Sequence, residues 1–158
     1  MYQICFLQDC PQRSQELADY VCRNWPAVKD VVLPEIPKSL HPQDSLPLTV
    51  LLLRDGEMKG FYQLLEQECI QRKDLSPWIS PLFVDESERG HALGEQLLWH
   101  ARQTAGSLGY DQVYLTTNHI QYYEKYGFRE IGLDLFESGR PTKIYVHRTC
   151  LLYTSRCV

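Results

Sequence analysis

Residues 79–98 read I-S-P-L-F-V-D-E-S-E-R-G-H-A-L-G-E-Q-L-L, and this stretch decides the fold of the chain. An apolar extended run ends at Val84, and a polar segment with glycine at positions 90 and 94 follows it. Small or apolar residues then recur close to helical spacing until Gly109, which favours a helix end. We therefore predict a strand, a glycine-bearing turn and a helix over residues 91–108.

The turn has the properties of an anion-binding site. Backbone N–H groups at a helix start have no partners inside the helix, and the helix dipole adds partial positive charge there. Glycine and alanine leave the backbone accessible to a pyrophosphate, and an arginine adds a charged hydrogen-bond donor. The residues expected to face such an anion are Arg89, Gly90, His91, Ala92, Leu93 and Gly94.

Two motifs resemble those of one known family. R-G-H-A-L-G at residues 89–94 resembles the signature (Arg or Gln)-x-x-Gly-x-(Gly or Ala) of the GCN5-related N-acetyltransferases, the GNAT family. Ala92 stands where that family most often has glycine. Y-Y-E-K-Y-G-F at residues 122–128 resembles the family's later Y-x-x-x-G-F segment. The resemblance covers residues 45–148 and fits the N-terminal helical region more loosely.

The resemblance implies a fold, a cosubstrate and several residue roles. The implied fold class is α/β (α+β), a mixed, mostly antiparallel sheet of about six or seven strands flanked by helices. The cosubstrate is acetyl-CoA, with no metal, and its pyrophosphate binds the turn at residues 89–94. Leu82, Phe83 and Val84 lie on a splayed strand whose backbone binds pantetheine and polarises the thioester carbonyl. Tyr123 is the general acid for the departing thiolate.

Several of these positions have a second interpretation. Asn118 either contacts CoA or forms the N-cap of a short helix predicted over residues 119–125. Leu82, Phe83 and Val84 are equally compatible with an ordinary buried strand, and Tyr123 with aromatic packing of that short helix. The sequence does not identify the general base. Glu66, Glu68, Asp85 and Glu86 are candidates that could act directly or through water, and each is also compatible with a solvated surface carboxylate.

These observations favour an acetyl-CoA-dependent N-acetyltransferase that acts on a primary amine of a small molecule or peptide. Direct attack in a ternary complex is expected, because neither motif contains a cysteine placed for an acetyl-enzyme. The alternative is a non-catalytic acyl-CoA-binding or interaction module with the same fold. A dinucleotide-binding domain is disfavoured because the turn is not G-x-G-x-x-G. A homodimer is suggested by the resemblance alone.

Composition limits the protein class. The chain has 158 residues, a net charge of −4 and six cysteines, so it fits one domain and lacks an overall basic footprint for nucleic acid. No apolar run is long enough to span a membrane and no signal peptide is evident, so we expect a cytoplasmic protein. The cysteines form no C-x-x-C pair and are expected to be isolated, mostly buried free thiols. Residues 1–148 are predicted to form a single domain, and 149–158 resemble a translated sequencing-adapter read-through.

The remaining elements follow from periodicity and turn residues. Asp55-Gly56 predicts a tight hairpin turn. Residues 26–47 are broken by prolines and are expected to carry acceptor selectivity. Predicted helices cover residues 11–25, a short stretch within 31–40, 91–108 and 119–125, and predicted strands cover 2–8, 48–53, 58–69, 77–84, 111–116, 131–135 and 143–147.

Overall fold

A computed structural model describes residues 1–41 and 45–150 of the chain. The α-helices are α1 (Ser14–Asn24), α2 (Lys29–Val32), α3 (Glu35–Leu40) and α4 (Leu93–Ser107). The strands are β1 (Tyr2–Phe6), β2 (Leu48–Arg54), β3 (Glu57–Leu65), β4 (Trp78–Val84), β5 (Gln112–Thr117), β6 (Arg129–Leu135) and β7 (Pro141–Arg148). Single 3-10 turns include Glu86–Glu88 and Glu124–Tyr126.

The strands form a mixed sheet in the order β1-β2-β3-β4-β5-β7-β6. Pairing is antiparallel for β1–β2, β2–β3, β5–β7 and β6–β7, and parallel for β4–β5. The register of β4 with β5 consists of one residue pair, Trp78 with Tyr114. The predicted fold class, a mostly antiparallel sheet with flanking helices, is confirmed.

The chain divides into two compact units, and the first comprises Met1–Leu64 and Pro81–Leu97. Its β2 strand is buried from Leu48 to Leu53, so the apolar run in the sequence reflects coverage of both faces. Helix α1 buries Leu17, Tyr20 and Val21, which recur at three- and four-residue spacing on one helix face. These side chains pack in a core with residues of β2, β3, α2 and α3.

The second unit comprises Leu65–Ser80 and the described residues from Leu98 onward. Its central strand β7 pairs with β5 on one side and β6 on the other. Trp78 is fully buried against Tyr114, with ring centroids 5.4 Å apart, and its indole N–H donates to the Leu75 carbonyl at 2.8 Å. The core around this pair includes Ile70, Ile144 and Val146.

Most predicted elements are present, and the Asp55-Gly56 hairpin is confirmed. Both turn residues have positive φ, +51° and +85°, as a two-residue turn of type I′ requires. The strand predicted over 58–69 ends at Leu65. The helix predicted over residues 119–125 is wrong: Gln121 adopts φ +61°, which interrupts helical hydrogen bonding, and only the 3-10 turn Glu124–Tyr126 forms.

The cysteine prediction needs a correction. Of the five described cysteines, Cys22 and Cys69 are exposed, and Cys5, Cys10 and Cys150 are half-buried, so these thiols are not in disulfides and are not mostly buried. Within residues 1–41 and 45–150, no helix is long and apolar enough to cross a membrane. Residues 42–44 of the predicted selectivity region, and 151–158 of the predicted foreign tail, lie outside the described residues.

Candidate active site

The segment after β4 forms a compact turn that an aspartate caps. The Asp85 carboxylate accepts hydrogen bonds from the Ser87 N–H at 3.0 Å and the Ser87 hydroxyl at 2.7 Å, which starts the 3-10 turn Glu86–Glu88. The chain then passes through two left-handed positions, Gly90 at φ +91° and Ala92 at φ +59°, before α4 begins. An alanine in this region pays a steric cost of about 1–2 kcal/mol that glycine avoids.

The backbone N–H groups of this turn were predicted to lack hydrogen-bond partners, and this prediction holds only in part. The Arg89 N–H donates to the Glu86 carbonyl at 3.2 Å, so the expectation that it is free for an anion is wrong. The first i to i−4 bond of the helix runs from the Gln96 N–H to the Ala92 carbonyl at 3.1 Å. The amides from Gly90 to Gly94 precede that bond, so they belong to the helix start where anions bind.

The Arg89 side chain folds back along β4. Its Nε donates to the Val84 carbonyl at 3.3 Å, and the guanidinium carbon lies 5.9 Å from the Phe83 ring centroid. Phe83 itself contacts three aromatic rings of the same unit, those of Tyr20, Trp25 and Phe61, at centroid distances of 5.9, 5.6 and 6.2 Å. The end of β4 is therefore held by side-chain packing, while Leu82, Phe83 and Val84 stay half-buried.

An open cleft of about 520 Å³ lies beside this turn, within the first unit. Its lining is mostly polar and carries both signs of charge: Asn24, Phe83, Asp85, Glu86, Ser87 and Arg89. The Tyr20 hydroxyl donates to Asp85 at 3.1 Å. Burial acts to raise the pKa of Asp85, but the hydrogen bonds from Ser87 and Tyr20 outweigh it and lower that pKa. Asp85 is consequently a weak base, and Glu86 is an exposed carboxylate on the cleft.

In the second unit, the two glutamate candidates differ in burial. Glu66 is exposed, whereas Glu68 is 5% exposed. The Glu68 carboxylate accepts hydrogen bonds from the Cys69 N–H at 2.8 Å and from the Thr116 hydroxyl of β5 at 3.3 Å. Glu68 is thus held against β5, and Glu66 is left in solvent.

Tyr123 lies in an aromatic cluster of the second unit. Its ring is 4.8 Å from that of Tyr122, 6.0 Å from that of Phe128 and 6.4 Å from that of Tyr145. Burial, with a smaller contribution from Tyr122, raises the pKa of Tyr123 to about 12. The phenol is therefore fully protonated at neutral pH, as a proton donor must be.

The segment after Tyr123 is tightly constrained. Gly127 has φ +91°, and a Cβ there would come within 2.5 Å of the His147 ring, so a larger residue would displace it. The buried Tyr145 hydroxyl donates to Glu124 at 2.6 Å. Asn118 is exposed, and its side-chain amide donates to the Pro141 carbonyl at 3.2 Å. No helix begins at residue 119, so the predicted N-cap role is wrong.

The sequence of this chain is similar to that of a known protein family. The acetyltransferase (GNAT) domain model matches residues 48–130, more than half of the 158-residue chain. The chain belongs to the GNAT acetyltransferase family. A search of curated proteins found no significant match.

Solved GNAT structures share the fold at low sequence identity. The aminoglycoside 6'-N-acetyltransferase from Enterococcus faecium is 18% identical with a TM-score of 0.72, covering 92% of this chain and 96% of that one. A GNAT-family acetyltransferase from Desulfovibrio desulfuricans is 18% identical with a TM-score of 0.74, covering 95% and 100%. An aminoglycoside 6'-N-acetyltransferase complexed with coenzyme A is 17% identical with a TM-score of 0.70, covering 94% and 96%.

The predicted residues of this GNAT domain fall into two sets. The first unit holds the end of β4, the carboxylates of Asp85 and Glu86, and the turn at residues 89–94. The second unit holds Glu66, Glu68, Asn118 and Tyr123. The sequence did not predict a role for Glu88, which immediately precedes the turn. Its side chain is 2% exposed, and both of its carboxylate oxygens accept hydrogen bonds. In the polar run D-E-S-E-R, nothing distinguishes it from a surface carboxylate.

Proposed function

We propose that this GNAT protein transfers the acetyl group of acetyl-CoA to a primary amine of a small molecule or peptide, by direct attack in a ternary complex. The observation that carries the proposal is the turn after β4, where the Gly90–Gly94 amides precede the first helical hydrogen bond. The family match supports the same reaction class. The solved neighbours named as aminoglycoside acetyltransferases make aminoglycosides the first amines to test.

In this proposal the turn binds the pyrophosphate of the cosubstrate. Backbone donors at a helix start stabilise a bound anion without reorganising, and the side chains at positions 90, 92 and 94 leave room for it. Arg89 adds positive charge beside the turn, and the Leu82–Val84 backbone is the proposed contact for pantetheine and the thioester carbonyl. Asn118 is the proposed further contact to CoA.

Tyr123 is the proposed general acid that protonates the departing thiolate. Its raised pKa keeps the proton on the phenol until it is transferred, and its neighbouring rings restrict the orientation of the side chain. Replacing an acid that acts in the transition state typically costs about 10²–10⁴-fold in rate.

Among the carboxylates, Glu68 is our proposed general base, acting directly or through water. It is buried and held by Thr116, whereas Glu66 is exposed and Asp85 has a lowered pKa because its oxygens accept three hydrogen bonds. The proposal also includes a cytoplasmic location and allows a homodimer.

The test is free-thiol release from acetyl-CoA with a panel of aminoglycosides, polyamines and short peptides. Tyr123→Phe is expected to lower turnover roughly 10²-fold or more, while Tyr126→Phe, in the same segment, serves as the matched control. If CoA binds and no amine is acetylated, the non-catalytic binding module is the better description. Failure of the wild-type protein to bind CoA would overturn the proposed function altogether.

A further inference from the structure

Glu88 is a buried carboxylate immediately before the turn at residues 89–94, which we call the anion turn. Its side chain is 2% exposed, and the Tyr2 hydroxyl donates to one of its oxygens. An Arg54 guanidinium nitrogen donates to the other oxygen at 3.0 Å. A carboxylate this deeply buried requires such partners, since an uncompensated buried charge is costly.

The two donors lie side by side on neighbouring strands. Tyr2 of β1 and Arg54 of β2 are directly opposite in the antiparallel register, and the guanidinium lies 5.9 Å from the centre of the tyrosine ring. Glu88 therefore connects the turn to two strands that lie 34 and 86 residues away in the sequence. At the other end of the same segment, the Asp85 N–H donates to the Lys59 carbonyl of β3 at 2.7 Å.

The charge balance among Tyr2, Arg54 and Glu88 is as important as their geometry. Glu88 immediately precedes Arg89 in the sequence, so an uncompensated carboxylate would oppose binding of a phosphate at the turn. The hydrogen bond from Tyr2 and the pairing with Arg54 lower the pKa of Glu88, so the group stays ionised and depends on these partners.

We propose that Glu88 is a positioning residue for acetyl-CoA: held by Tyr2 and Arg54, it sets the anion turn in place while its own negative charge is compensated. This inference rests on the proposed function, because the ligand of the turn is taken to be the pyrophosphate of CoA. Arg54 then contributes to CoA affinity through Glu88.

The experiment measures CoA affinity by titration calorimetry, and KM and kcat with an amine that supports turnover, on full-length variants. Arg54→Met is expected to raise the Kd for CoA roughly tenfold, about 1.4 kcal/mol, with little change in kcat at saturation. Adding Glu88→Gln to Arg54→Met is expected to recover most of that affinity. The amide removes the uncompensated charge, and its oxygen can still accept the hydrogen bond from Tyr2 that holds the turn. Arg72→Met, which breaks the exposed Arg72–Asp74 ion pair, is the matched control.

A merely structural role predicts a different pattern, in which the two substitutions weaken CoA binding cumulatively. That result, or an unchanged Kd in Arg54→Met, would overturn the inference. If Arg54→Met does not fold, Tyr2→Phe takes its place, since it removes one donor and keeps the ring, and it is expected to raise the Kd severalfold. Wild-type protein that fails to bind CoA would instead refute the proposed function, which separates the two failures.

Discussion

At the scale of single residues, position 92 combines an unfavourable backbone conformation with a proposed role in binding CoA. Ala92 has φ +59°, a conformation that costs alanine about 1–2 kcal/mol. Glycine removes that cost but has more freedom to lose on folding, which offsets about 0.5–1 kcal/mol. The net effect of a glycine is therefore expected to be stabilising.

Ala92→Gly is expected to raise the free energy of unfolding by up to about 1 kcal/mol and to leave CoA affinity unchanged or improved. Urea denaturation of both proteins gives the first quantity and calorimetry the second. Ala105→Gly, inside α4, is the control and should destabilise by about 1 kcal/mol or more, because its backbone is helical and its methyl group is fully buried. Equal losses in the two variants would mean that position 92 is not strained.

The raised pKa of Tyr123 has a consequence for pH dependence. A phenol with a pKa of about 12 stays protonated across the assay range, so its ionisation should not reduce activity at moderately alkaline pH. We expect kcat/KM to increase with pH as the acceptor amine loses its proton, and then to level off. A decline near pH 9, present in wild type and absent in Tyr123→Phe, would contradict this assignment.

The same pKa sets the sign of a stability effect. The folded protein favours the protonated phenol, so this contribution is fully present below the unfolded pKa of about 10 and is lost as pH rises towards the folded value. Unfolding free energy measured between pH 8 and pH 11 should fall more steeply for wild type than for Tyr123→Phe.

At the scale of elements, the approach of β3 to β4 depends on one glycine. A Cβ on Gly60 would lie 2.5 Å from the Phe83 carbonyl oxygen and 3.3 Å from the Val84 Cα. Both are backbone atoms of the strand that leads into the anion turn, so neither can rotate away. A side chain at position 60 must displace β4.

Gly60→Ala is accordingly expected to lower the free energy of unfolding by about 1–3 kcal/mol and to weaken CoA binding. Gly56→Asn is the matched control, since the space around Gly56 is open and asparagine tolerates the left-handed turn conformation. Thermal denaturation and calorimetry check both effects. A Gly60→Ala protein with unchanged stability would show that the strands can separate without cost.

Element prediction succeeded where local chemistry determines the backbone. The Asp55-Gly56 turn, the apolar run of β2 and the helical spacing of α4 are all visible in the sequence, and each is present. The segment from Asn118 to Lys125 lacks such a signal. Its Gln121 is left-handed, a conformation that this residue type rarely adopts, so a helix was the wrong prediction.

At the scale of the whole molecule, the extent of the domain can be tested at its C-terminal end. The Thr149 N–H and hydroxyl donate to the carbonyls of Asp111 and Tyr110, at 3.0 and 2.7 Å, and the Cys150 N–H donates to the Arg102 carbonyl at 3.2 Å. Both residues fall in the tail predicted to be foreign. These bonds lead us to propose that the folded domain continues to Cys150.

A chain that ends at Arg148 loses these three hydrogen bonds and is expected to be less stable by about 1.5–4.5 kcal/mol, since each such bond contributes about 0.5–1.5 kcal/mol. A chain that ends at Cys150 keeps these three bonds and should be more stable than the chain that ends at Arg148. Chemical denaturation of the three chains compares them directly. Equal stability of the two shortened chains would place the boundary back at Arg148.

The sequence by itself determined the strand, turn and helix around residues 79–98, the family resemblance and the chemistry of the candidate residues. Those features depend on periodicity, glycine and proline placement, and motif order, which are local properties of the chain. Only the tertiary structure decided which carboxylates are buried and paired with a positive charge. Glu88 is buried because Tyr2 and Arg54 converge on it from β1 and β2, whereas Glu66 has no such covering and stays exposed. Burial and charge pairing arise from residues distant in the sequence, so no local pattern can specify them.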